Sequence, residues 1–398
     1  MASISGELPK GVVCAVLITA LGSLGLVTSV RAQHPVLAPT SNTTIVVSSA
    51  PLHYSAITVP VGVTVRFVAP GGGRSSVPDL PAVIYCDGDV DVRGTLSVSH
   101  DPFSNLWSAG WVRTGWGGTG VLCGSGFGTL FFPPGGGRHA LLYGSAIPFS
   151  LQGGSAGGDL DIYDSSCFFY ASTTAGLAPS GTLVVDAQGR MDIHGSVTAD
   201  GIGWTSPGTD NPGSSSGGSI LLRARAGLFV HPTGSVTARG GPSAPLSTFQ
   251  WPLPYVRSGE PGIVRLDAWG APPSILGTVD PPATVLELPH LIAPAPPQIG
   301  RGFRLDILAP DGSLLFLAVA LQPGPGTPTP FGLLGIDPTT AATLGVAMPQ
   351  PGHDPISSLS MGVPNAPALI GLGLWLQGFA AAPTLPPRLT NAVAAVVQ

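Results

Sequence analysis

Apolar and polar residues alternate in short runs along most of the chain, and the runs recur. One segment occurs three times: GDVDVRGTLSVSHD (88–101), GRMDIHGSVTADG (189–201) and GLFVHPTGSVTARGG (227–241). Each has an alternating stretch, then Gly-Thr or Gly-Ser, then a second short alternating stretch. A second element precedes these units. It reads GGDLDIYD (157–164), GTLVVDA (181–187), GGSILLRARA (217–226) and PGIVRLDA (261–268). Period-two alternation with Gly at the corners predicts short strands rather than helices. Repeating units of this kind bury their apolar faces by stacking, which predicts a parallel β-helix of right-handed coils. The inward columns would then be Leu160, Leu183, Ile220 and Val264, followed by Ile162, Val185, Leu222 and Leu266. The outward column beside them, Tyr163, Asp186, Arg223 and Asp267, would form a surface charge ladder worth roughly 0.2–1 kcal/mol per pair. Similar runs at 44–69 and 82–87 place the start of the stack near residue 44. About six coils at ~4.8 Å each give a stack roughly 29 Å long.

The pattern changes after about residue 283. From there to 398 the Gly-Ser/Thr-Val signature is missing and Pro is dense. Two apolar runs, SLLFLAVALQ (313–322) and ALIGLGLWLQGFA (368–380), are too short and too interrupted for a bilayer span. They predict buried strands of a small antiparallel β-sandwich. The Pro-rich stretches 35–60 and 271–297 read as caps that shield the open ends of the helix from edge pairing.

Composition sharpens this all-β reading. Only 9% of the 398 residues are charged, and the chain holds 57 Gly and 43 Pro. Lys10 is the only lysine, and beyond the leader the only glutamates are Glu260 and Glu287. A helical bundle lacks its usual solvating residues in such a chain. A formal net charge of −5 without a basic cluster argues against a nucleic-acid partner. At the N-terminus, Lys10 precedes an apolar stretch from Gly11 to Val30, and Val30-Arg31-Ala32 fits signal-peptidase cleavage before Gln33. The expected organisation is a signal peptide (1–32), a β-helix with long loop insertions (33–282) and a C-terminal sandwich (283–398). An exported location follows, with no membrane insertion after cleavage.

With these elements in place, a resemblance emerges. PVGVTVRFV (60–68), VIYCDGDVDVRGTLSVSHD (83–101) and SSSGGSILLRARAGLFVHPTGSVTARGG (214–241) resemble the secreted, Gly-rich, pectin-lyase-like β-helix proteins of bacteria. FGLLGIDPTTAATLG (331–345), MGVPNAPALIGLGLWLQGF (361–379) and PPRLTNAVAAVV (386–397) resemble a small β-sandwich module that ends many exported bacterial proteins. The resemblance implies architecture and export. It transfers no catalytic residues.

Candidate chemistry is sparse. The paired-Asp, Gly-His-Gly and Arg-x-Lys motifs of pectinase-type hydrolases do not occur. Asp91 and Asp192 occupy equivalent outward positions of the repeat. With one coil between them they would lie about 9.6 Å apart, at the edge of the inverting-glycosidase range, with His194 two residues along. The bland alternative is that repeated units repeat their surface residues. Asp87-Gly88-Asp89-Val90-Asp91 suggests calcium, but Val92 and Val98 stand where an EF-hand loop needs Gly and Glu. No Cys/His spacing suggests zinc, and no cofactor or metal is expected.

Three insertions, at about 102–156, 202–216 and 241–260, follow the same point of the repeat and should therefore emerge along one corner. They carry Trp107, Trp111, Trp116, Trp204, Trp251 and Tyr255, which either stack on sugar rings or pack the loops down. Cleavage of the leader leaves three cysteines. Cys86 falls at an inward position equivalent to Ala187 and is expected to be free and buried. A Cys123–Cys167 disulfide would staple the first insertion; no bridge, or a Cys86–Cys123 pair, are the alternatives. The expected function is a secreted, non-enzymatic structural or interaction protein that binds extracellular polysaccharide or a cell-surface component through its aromatic loops. A polysaccharide lyase or glycoside hydrolase is the alternative.

Overall fold

The computed structural model describes residues 34–48, 50–68, 81–99, 180–203, 214–242, 258–309, 313–347, 356–382 and 385–398, with three short strands between 120 and 174. The expected signal peptide lies outside the described residues. Three parallel sheets of six strands each form a β-helix of six coils. The first sheet stacks Val36–Leu37, Ala56–Val59, Val90–Val92, Met191–Ile193, Leu228–Val230 and Ser274–Ile275. The second stacks Thr43–Val46, Thr64–Val68, Thr95–Ser97, Ser196–Thr198, Ser235–Thr237 and Thr278–Asp280. The third stacks Leu52–Tyr54, Ala82–Cys86, Thr182–Ala187, Ser219–Ala224, Ile263–Trp269 and Thr284–Leu288. Each coil visits the three sheets in this order.

The register puts like beside like. Leu183 lies between Ala82 and Ile220, Val185 between Ile84 and Leu222, and Ala187 between Cys86 and Ala224. Val264, Leu266 and Ala268 extend these columns in the next coil. All of these side chains line one continuous core. Leu160 and Ile162 do not extend these columns. Their strand, Leu160–Tyr163, pairs in parallel with Gly120–Cys123 and antiparallel with Phe169–Thr174 in a separate three-stranded sheet. The whole stretch 98–181 connects second- and third-sheet strands of a single coil, so it contributes no coil of its own.

Two further expectations are corrected. The Pro-rich stretches read as caps are themselves coils: Val36–Leu37, Thr43–Val46 and Leu52–Tyr54 form the first, and Ser274–Ile275, Thr278–Asp280 and Thr284–Leu288 the last. Edge strands tolerate Pro because the missing N–H costs no ladder bond on the open side. The charge ladder is not on the surface either. Tyr85, not Tyr163, precedes Asp186 in the outward column. Asp186, Arg223, Arg265 and Asp267 are all buried. They share the outer face of the third sheet with Val83, Val184 and Leu221, so the middle strands of this sheet are covered on both faces. Such strands read as nearly continuous apolar runs, as VVDA and SILLRA do. Arg223 donates through Nη2 to Asp267 at 3.1 Å and through Nη1 to Asp186 at 3.4 Å. Arg265 donates through Nε and Nη2 to Asp267 at 2.9 and 2.8 Å.

Glycine marks the corner between first and second sheets because there is no room for a Cβ. A Cβ on Gly195 would fall on the carbonyl oxygen of Gly94, one on Gly234 on that of Ile193, and one on Gly277 on that of Gly234. The same holds at the roots of the insertions, where Gly218 abuts the carbonyl of Gly181 and Gly262 that of Gly218.

After Leu288 the chain turns antiparallel. His290–Ile292, Gly302–Leu308 and Ile356–Gly362 form one sheet, and Ala342–Ala347, Leu314–Ala320, Gly373–Ala381 and Arg388–Val396 another. Leu305 and Ile307 from the first meet Leu315, Leu317 and Leu376 from the second, in a sandwich core. The two predicted apolar runs supply two adjacent strands of the larger sheet. Trp269, Leu286 and Leu288 of the β-helix are built into the same core. Burial holds the His290 pKa below the ordinary histidine value; nearby Asp267 opposes this and Arg265 reinforces it. Among the described residues no helix is long and apolar enough to cross a membrane.

Candidate functional site

The outer face of the first sheet carries the densest group of chemically versatile side chains among the described residues outside the buried ion cluster. Three of its strands are three residues long, with two inward apolar residues flanking one outward side chain: Val90-Asp91-Val92, Met191-Asp192-Ile193 and Leu228-Phe229-Val230. Asp192 is the direct cross-strand partner of both Asp91 and Phe229. The next residue in each coil, Arg93, His194 or His231, leads into the crowded glycine corner. Their backbone N–H groups continue the ladder, donating to Val59, Val92 and Ile193 at 2.8, 2.8 and 2.9 Å. Fixed this way in neighbouring coils, His194 and His231 stack with ring centroids 3.8 Å apart and planes 14° from parallel.

Asp192 is the hub. Arg190, two residues earlier and on the same side of the strand, grips it with Nε on Oδ2 at 2.7 Å and Nη2 on Oδ1 at 2.8 Å. His231 Nε2 lies 2.7 Å from the same Oδ1. Partial burial raises the Asp192 pKa, but the hydrogen bonds from Arg190 and His231 outweigh it and leave the carboxyl below the usual carboxylate value. Arg190 is itself held from two sides. Its guanidinium carbon lies 4.1 Å from the Phe229 ring centroid, and its backbone N–H donates to Asp89 Oδ1 at 2.7 Å. One coil earlier, Arg93 Nε donates to Asp91 Oδ2 at 2.9 Å, while the buried Asp91 Oδ1 has no hydrogen-bond partner. The group is partly buried, with 21% of the Asp192 side chain and 26% of His231 open to solvent.

The structure brings together Asp91, Asp192 and His194 but alters their geometry. The two aspartates sit on adjacent coils, with no coil between them, so their strands are about 4.8 Å apart rather than 9.6 Å. Each carboxylate is engaged by an arginine of its own coil. The Asp87–Asp91 run also serves the ladder: Asp89 accepts from the Arg190 backbone and Asp91 pairs with Arg93. Sequence reasoning missed His231 and Arg190. The signal was present, since in the aligned units MDIHG and LFVHPTG each histidine follows the last inward residue. One unit has two extra residues before its Gly, which hides the match from a simple spacing count.

Cys86 is free and buried in the β-helix core opposite Ala187, and burial pushes its thiol up to about 11. Cys123 ends the strand Gly120–Cys123; Cys167 lies outside the described residues, as do Trp107, Trp111, Trp116, Trp204, Trp251 and Tyr255.

What the site offers chemically is two imidazoles and a carboxylate whose ligand atoms all lie within 4.8 Å of one another. No family model, curated protein or solved structure matches the chain. Its class therefore rests on its own architecture: a parallel β-helix protein with an antiparallel C-terminal sandwich. The Arg/Asp/His ladder on the first sheet is its candidate site.

Proposed function

We propose that the chain is an exported, non-enzymatic binding scaffold, of the pectin-lyase-like β-helix type, that holds an extracellular polysaccharide or a cell-surface component on loops along one corner. One observation carries the reading. Second-sheet strands that end at Ser97, Thr198 and Thr237 lead to third-sheet strands that begin only at Thr182, Ser219 and Ile263, so three successive coils open at the same corner. The inserted segments hold Trp107, Trp111, Trp116, Trp204, Trp251 and Tyr255, whose ring faces match the apolar C–H faces of sugars. The two-point arginine grip on Asp192 supports a non-catalytic role, because it keeps the carboxyl ionised with both oxygens engaged, whereas a general acid must carry a proton to give. The enzymatic alternative keeps one point in its favour. Asp91 and Asp192 sit on neighbouring strands about 4.8 Å apart, a backbone spacing close to the roughly 5–5.5 Å between the carboxyl groups of retaining glycosidases.

A polysaccharide array read for both retention and cleavage separates these readings. Retention without product is expected. Trp111→Ala with Trp116→Ala should abolish retention while leaving the melting temperature within a degree or two of the parent, on the order of a surface change. Product that disappears in Asp192→Asn would establish the enzymatic alternative. A large fall in melting temperature would identify the tryptophans as packing groups and remove the loop-binding reading.

A further inference from the structure

The stacked histidines call for an account that the polymer-binding reading does not supply. His194 and His231 come from adjacent coils, and each is placed by a backbone hydrogen bond of the parallel ladder. Their rings lie face to face at 3.8 Å, and one of them shares a short hydrogen bond with Asp192. We propose that Asp192, His194 and His231 form a binding site for a borderline transition-metal dication, of which zinc is the representative.

The donor set selects the metal class. Two imidazole nitrogens and one carboxylate oxygen suit zinc, copper, nickel or cobalt, whereas calcium and magnesium require mostly oxygen ligands. Zinc binds nitrogen and carboxylate oxygen at about 2.0–2.2 Å, so tetrahedral neighbours stand about 3.3 Å apart. The donors here lie within 4.8 Å, and the Asp192–His231 pair at 2.7 Å. Two parallel stacked rings cannot both hold one ion in their planes, so closing on it requires the imidazoles to splay by side-chain rotation until their lone pairs converge, on a backbone already fixed by the ladder. The ion takes the place of the proton shared between His231 Nε2 and Asp192 Oδ1.

The surroundings suit a cation. Arg190 holds Asp192 Oδ2 at 2.7 Å and orients the carboxylate, the supporting role that outer-shell groups play around metal ligands, while its Nη2, 2.8 Å from Oδ1, must give way for that oxygen to reach the ion. Its charge opposes the ion, but Asp89, which accepts from the Arg190 backbone N–H, adds negative charge nearby, and the next carboxylate in the ladder, Asp91, has a buried oxygen without a hydrogen-bond partner. Three protein ligands also leave a coordination position for water or an incoming oxygen, as in open zinc sites. The site lies on the outer face of the first sheet, whereas the aromatic insertions leave between the second and third. The proposal therefore stands or falls independently of loop binding.

The test uses the full-length, untagged protein, stripped with a chelator and titrated with zinc by calorimetry in the absence of polysaccharide. One zinc per chain is expected at this site. His194→Gln and His231→Gln should each weaken uptake at least about tenfold, with far-UV circular dichroism unchanged. His53→Gln should bind as the parent does. A second measurement needs no variant: zinc should shield His194 and His231, and no other histidine, from acylation by diethyl pyrocarbonate. Absence of stoichiometric uptake by the parent overturns the proposal, and so does equal uptake in all three variants. Shielding that is absent or spread evenly over the histidines overturns it as well.

Discussion

Asp267 accepts hydrogen bonds from Arg223 and Arg265 at once, and all three side chains are out of water. In that setting a surface ladder's few tenths of a kcal/mol is the wrong scale. Two guanidiniums have been desolvated, and their cost is offset only while both carboxylates are present. Asp267→Asn should destabilise the protein by about 3–5 kcal/mol, read from chemical denaturation. A loss below about 1 kcal/mol would place the cluster with exposed ion pairs instead. The residues of this column were legible in the sequence, because alternation assigns Asp186, Arg223 and Asp267 to one face. Their burial was not. Alternation tells inside from outside only when the outer face meets water, and here Val184 and Leu221 share that face. Cys86 shows the converse: its equivalence to Ala187 follows from local pattern alone, and both its register and its burial match.

At the scale of the elements, the Gly-Ser/Thr signature was the most reliable guide, because it reports a steric fact. The carbonyl of the coil beneath occupies the volume a side chain would need at Gly195 and Gly234. Gly234→Ala should therefore cost about 1–3 kcal/mol, the usual penalty for overpacking a closed site. Gly302→Ala, where a Cβ meets nothing within 4 Å, is the control and should be close to neutral. Equal effects at the two positions would show that close approach does not set the corner. Pairing partners were harder to read than strands. GGDLDIYD has the same alternation as a coil strand, yet Leu160–Tyr163 joins Gly120–Cys123 and Phe169–Thr174. Alternation fixes which residues share a face, but the choice of neighbour depends on chain distant in sequence. The Asp91–Asp192 separation was misjudged for that reason, and the His194–His231 stack was overlooked because Pro232 and Thr233 shift the spacing within the repeat.

At the scale of the whole molecule, the junction between β-helix and sandwich sets how the protein unfolds. Trp269 ends the fifth strand of the third sheet, and Leu286 and Leu288 lie in the sixth. All three side chains nevertheless belong to the core formed by Leu305, Ile307, Leu315 and Leu376 of the sandwich. The last coils thus present their outer face to the module that follows, and the parallel stack gains a covered side where an isolated solenoid would need a polar cap. Domains joined by a thin polar contact melt separately, but a shared apolar core couples them. Calorimetry of the intact chain should show one transition for both architectures. Trp269→Ala should remove about 3–5 kcal/mol and lower that single transition as a whole. Two transitions in the parent, or a variant in which only the sandwich melts earlier, would mean that the β-helix stands without the module. In the coupled case the sandwich is a structural part of the stack, and its removal after Leu288 exposes Trp269, Leu286 and Leu288 together.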